Sequence, residues 1–138
     1  MDAKVFTDVI QVCTDGSSLS EKGVATAVSL AKSLGLPLLG MTVVKGEAPA
    51  DGLAGEPQDV QDRLKSIAEQ AEAAGVPYQI LAEHAASPHE GILDVAIRHD
   101  ARFIVMASRG LSSLSSLFLG SETQKTLAEA DRPILVIR

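Results

Sequence analysis

Five short runs rich in Val, Ile and Leu recur along the chain: DVIQVC (8–13), LPLLGMTVV (36–44), VPYQILAE (76–83), ARFIVMA (101–107) and RPILVIR (132–138). Their weak polar alternation is the pattern of strands covered on both faces. Segments with helical spacing separate them. Val24, Ala27, Val28, Ala31 and Leu34 form one apolar stripe, and Val60, Leu64, Ile67, Ala68 and Ala71 form a second. Ile92, Leu93, Ala96 and Ile97 mark a third helix, and a fourth is expected from about Glu122 to Ala130. Strict β-α alternation predicts right-handed crossovers, hence an α/β, doubly wound parallel sheet of five strands with helices on both faces.

Helix limits are signposted. Ser18–Glu21, Ser87–Glu90 and Ser121–Gln124 match a capping box, and Pro88 fits a first helical position. Gly35 and Gly75 stand where helices should stop. KGEAPADGLAGEPQ (45–58) reads as a mobile surface connector rather than a functional lid. A length of 138 residues fits one domain spanning 1–138.

Aromatic residues make up 3% with no Trp, so the core must be aliphatic. A net charge of −6 argues against a general nucleic-acid or anionic-membrane partner, though not against a small anion held by backbone amides. No apolar run approaches the ~20 residues of a membrane span, and MDAKVFTDVIQV lacks the pattern of a signal peptide. Cys13 is the only cysteine, which excludes an internal disulfide and a cysteine cluster for zinc. A cytoplasmic location is the expectation.

The chain contains no GxxxxGK[ST] loop, no GxGxxG after a strand and no GxSxG elbow. His84, His89 and His99 lack metal-ligand spacing and read as surface histidines without a local partner. No residue stands out as a strong general base, so fast hydrolytic chemistry is not expected.

Two polar loops leave strand ends: CTDGSSLSE (13–21) after the first strand, and ASRGLSSLSSLFLGSETQKTL (107–127) after the fourth. If those strands are neighbours, both loops border one cleft at the carboxyl edge of the sheet. Gly110 can adopt positive φ and admit a ligand to the backbone. Gly120 and Ser121 open a helix whose N–H groups favour anions. Serine hydroxyls at 112, 113, 115 and 116 and the Arg109 cation add donors, and Asp15 can accept from a ribose hydroxyl or hold a metal-bound water. Ser121 has the alternative of capping the helix, and Asp15-Gly16 that of making a turn.

These residues resemble the universal stress protein family over essentially the whole chain. Its nucleotide-binding members carry G-x2-G-x9-G-[ST] after strand four, matched here by Ala107, Gly110, Gly120 and Ser121. CTDGSSLSE is similar to the family's P-x-D-G-S exit, and RPILVIR to its last strand. The resemblance implies a sheet order 3-2-1-4-5 and an adenine nucleotide: ATP, ADP or AMP, with Mg²⁺ or Mn²⁺ carried by the phosphates. Thr14, Asp15 and Val43, with Cys13 beside them, would border adenine and ribose. Gly110, Gly120 and Ser121 would hold phosphates, flanked by Ala107, Arg109 and Glu122. It also implies a homodimer joined through the terminal strand, 132–138. Ala107 replaces the first motif glycine, Cys13 the usual proline and Ser113 a frequent glycine. Two functions follow from this: a nucleotide-dependent stress-response regulator with slow or no hydrolysis, or a dimeric interaction module of the same fold without nucleotide.

Overall fold

The computed structural model describes residues 6–110 and 119–138. The elements run β1 (Ile10–Cys13), α1 (Ser18–Leu34), β2 (Leu38–Val44), α2 (Gln58–Ala74), β3 (Tyr78–His84), α3 (Pro88–Arg98), β4 (Phe103–Ala107), α4 (Ser121–Glu129) and β5 (Ile134–Ile137). All strand pairs are parallel, in the order β3-β2-β1-β4-β5. The expected fold and strand order are therefore present.

Side-chain alternation along the strands divides the core in two. Ile10, Val12, Leu38 and Val105 face α1 and α2, meeting Val24, Ala27, Val28 and Ala31 of the first helix and Val60, Leu64, Ile67 and Ala71 of the second. Val9, Leu39, Met41, Ile104 and Met106 face the other way, onto Ile92, Val95 and Ala96 of α3, with α4 packed beside α3. Leu34 and Ile97 depart from the expected stripes: they are 47% and 64% exposed, because each sits at the end of its helix.

Gly35 and Gly75 end α1 and α2 in left-handed conformation, with φ of 67° and 72°. That geometry lets their N–H groups return to carbonyls of the last turn. The starts are shifted from the expected boxes. Ser17, not Ser18, caps α1, its Oγ accepting from the Ser20 N–H at 3.2 Å. Gly120, not Ser121, is the N-cap of α4. Ser87 and Pro88 hold their expected positions, without a side-chain capping bond from Ser87. The 45–58 connector contains a 3₁₀ turn at Gly52–Gly55 and a buried glutamate, Glu56.

Gln11, mid-strand in β1, is fully buried. Its amide nitrogen donates to the Ile92 carbonyl at 2.9 Å and approaches Met41 Sδ at 3.2 Å, while Oε1 has no partner among the described residues.

Candidate functional site

The β1-α1-β2 and β3-α3-β4 crossovers lie on opposite faces, so β1 and β4 flank a topological switch point. A cleft of about 530 Å³ opens there. Cys13, Ile92, Met106 and Ala107 give it an apolar base. Asp15, Arg109, Gly110, Gly120, Ser121, Glu122 and Thr123 supply its polar side, and Ser20 and Pro88 complete it. Eight of the ten residues singled out from the sequence thus meet in one cavity: Cys13, Asp15, Ala107, Arg109, Gly110, Gly120, Ser121 and Glu122.

Thr14 and Val43 are not in the lining. Thr14 is 1% exposed, and its hydroxyl accepts from the Gly16 N–H at 3.1 Å and bonds Ser20 Oγ at 2.9 Å. It builds the turn beneath the cleft. Val43 lies under α3, where a Cβ added to Gly91 would come within 2.9 Å of it. The serines at 112, 113, 115 and 116 lie outside the described residues.

The two loops meet at Asp15. One carboxylate oxygen accepts from the Ser17 N–H at 2.9 Å, fixing the turn. The other lies over Gly110, where a Cβ would approach it to 2.5 Å. Gly110 therefore serves close approach, not the positive φ expected of it; positive φ belongs to Gly16, at 87°. Arg63 of α2 packs against Gly16, with Nε 2.7 Å from where a Cβ would stand.

The entry to α4 is held by contacts that motif reading did not include. The buried Ser108 donates its N–H to Ile137 and accepts from the Gly120 N–H, both at 2.7 Å. The Gly120 amide is thus spent on protein rather than offered to a ligand. Ser121 and Glu122 occupy the first two helical positions, whose N–H groups have no acceptor within a helix. Thr123 Oγ1 donates to the Ala107 carbonyl at 2.9 Å, joining α4 to the end of β4. Burial of Thr123 and Thr126 three residues apart is the signal that α4's inner face would have offered.

Electrostatics divide the cleft. Desolvation pushes the Cys13 thiol up to about 12, Asp15 adds to this and Arg63 opposes it, so the sulfur stays protonated and poorly nucleophilic at neutral pH. Partial burial favours a neutral Glu122. Hydrogen bonds from the ring and backbone of His89, and the charges of His89 and Lys125, outweigh that and hold its carboxyl below the usual range.

The histidines are not the unpartnered surface groups expected. His89 lies between Glu122 and Glu129, His84 meets Glu56, and the buried His99 bonds the Phe6 carbonyl at 2.7 Å. Among the described residues, no group of three His, Cys, Asp or Glu could hold a metal ion. No described helix is long and apolar enough to cross a membrane.

This architecture recurs in solved proteins. A universal stress protein in complex with cAMP superposes with a TM-score of 0.73 at 21% identity, covering 98% of each chain. The Archaeoglobus fulgidus universal stress protein in complex with dAMP gives 0.70 at 18% identity, covering 98% of this chain and all of that one. A curated universal stress protein of Thermus aquaticus is 37% identical over 137 residues, covering 94% of this chain and 97% of its relative. The sequence profile described as the Universal stress protein family matches residues 7–138, and the chain belongs to that family.

Proposed function

We propose that the chain binds an adenine nucleotide, as ATP, ADP or AMP, in the cleft between β1 and β4, and acts as a nucleotide-dependent regulator in the stress response. The observation that carries this reading is the meeting of Asp15 with Gly110 at the head of a cleft whose far side is the start of α4. Asp15 supplies an acceptor for a ribose hydroxyl, and the first amides of α4 supply donors for phosphate. Relatives of the same fold in complex with cAMP and dAMP support the ligand class. Glu122 of the lining is already engaged by His89, so a divalent ion would be held chiefly by the phosphates.

The proposal extends to assembly. β5 is a sheet edge with Leu135 38% exposed, an arrangement that favours pairing with a second copy through residues 132–138.

A second reading, a dimeric module without nucleotide, is favoured by the Ala107 methyl in the cleft and by the Gly120 amide already bonded to Ser108. Calorimetric titration with ATP, with and without Mg²⁺, separates the two. Micromolar to millimolar saturable binding that Gly120→Val removes supports the first. No heat at about millimolar ATP, a concentration that corresponds to a binding free energy of ~4 kcal/mol, supports the second.

A further inference from the structure

One side chain ties down both ends of the connection between β2 and α2. His84 closes β3. Its Nδ1 lies 3.0 Å from the Gly46 carbonyl oxygen at the start of the connection, and its Nε2 lies 2.6 Å from Glu56 Oε2 at the end. Both side chains are secluded, His84 at 12% exposure and Glu56 at 5%. Between these contacts the chain makes its 3₁₀ turn, closed by the Glu56 N–H on the Leu53 carbonyl. Gln61 of α2 donates to the Glu56 carbonyl at 2.9 Å.

Gly46 contributes a carbonyl, which only accepts, and an ionised carboxylate also only accepts. A neutral imidazole has one N–H and cannot serve both. The two contacts together therefore require one proton more than a neutral ring beside an ionised carboxylate holds. Whether that proton rests nearer Nε2 or Oε2, it is the same proton that must leave.

The surroundings favour keeping it. Glu83 precedes His84 on β3 and is itself bonded to Arg98 of α3 at 2.6 Å. His89, Glu90 and Asp94 of α3 and Glu129 of α4 line the groove beside His84, while Lys45 and Glu47 flank Gly46 in solvent. The hydrogen bond to Glu56 raises the His84 pKa above its ordinary value. Burial opposes it, and the Gly46 carbonyl with the charges of Glu56 and Glu83 reinforces it.

We propose that His84 and Glu56 form a proton-dependent latch on residues 45–57, closed while the pair holds its shared proton and released as the solution becomes alkaline. Because the folded-state pKa is raised, the latch is complete below the ordinary histidine value and is lost as pH climbs through the raised one. Release leaves one N–H for two acceptors and a secluded carboxylate without its counter-charge. The segment leaves β2 at the carboxyl edge of the sheet, the edge that also carries the cleft, so the latch governs an element of that edge.

Hydrogen exchange on the full chain tests this, from about pH 5.5 to about pH 9, with rates corrected for intrinsic base catalysis. The hydrogen-bonded amides of Gly52 and Glu56 should lose protection by about tenfold or more, the equivalent of one charge-assisted hydrogen bond, in step with the NMR titration of the His84 ring, while α1 is unchanged. His84→Gln should make that protection independent of pH. Constant protection while the ring titrates, or an unaltered pH response in His84→Gln, overturns the latch. Glu56→Gln provides the check if the histidine variant does not fold: the ring's midpoint must fall toward the ordinary value, and an unmoved midpoint refutes the pairing.

Discussion

Gly110 owes its lack of a side chain to its neighbour rather than to its own backbone angles. A methyl there would press on the Asp15 carboxylate at 2.5 Å. Gly110→Ala should therefore displace Asp15 and weaken nucleotide binding by about 1 kcal/mol or more, the worth of one hydrogen bond. Because Gly110 is exposed, folding stability should shift by less than about 0.5 kcal/mol. Calorimetry and urea denaturation on the same variant check both halves, and a large stability loss would contradict the account. Cys13 makes a chemical prediction. With its thiol near 12, its thiolate fraction at about pH 8 is on the order of a thousandfold below that of a free cysteine. Iodoacetamide should label native protein far more slowly than urea-unfolded protein; equal rates would refute the raised thiol pKa.

Residue partnerships were the least legible part of the sequence. Motif spacing delivered Asp15, Gly110 and Ser121 to one cavity, because short loops after adjacent strands have few places to go. It could not show that His84 meets Glu56, 28 positions away, or that His89 meets Glu122, 33 away. Such pairs depend on which helix covers which strand. Gln11 was similarly opaque, since its partner carbonyl belongs to α3.

Elements were read more reliably than their ends. Each strand and helix forms where apolar periodicity placed it, because burial against a sheet demands that periodicity. The first residues were misplaced by one at α1 and α4. A run such as DGSSLS offers several serines, and only the Asp15 turn selects Ser17 as the cap. Gly40 gives a test of how closely the elements are packed. A Cβ there would lie 2.5 Å from Ile67 Cγ2, in the contact of β2 with α2. Gly40→Ala should cost about 1–3 kcal/mol by overpacking. Pairing it with Ile67→Val, which removes the Cδ1 that lies 2.9 Å from the same point, should recover part of the loss. If the two variants are simply additive in denaturation experiments, the helix does not approach the strand as described.

At the scale of the whole molecule, the two sheet edges differ. β3 is backed by a seven-residue ladder with β2, whereas β5 is a four-residue strand with an exposed leucine. The proposed dimer predicts sedimentation at twice the chain mass. Leu135→Lys, which places charge on that edge, should shift the equilibrium toward monomer. A wild-type chain that sediments as a monomer at every concentration removes the dimer from the proposal and leaves the cleft untouched.

Ser108 grips the last strand with one side of its backbone and the threshold of α4 with the other. It works as a rivet, so the wall of the hollow stands where Ile137 sets it, some thirty residues further along the chain. Clipping two residues from the tail would slacken that hollow without altering a single atom that faces it.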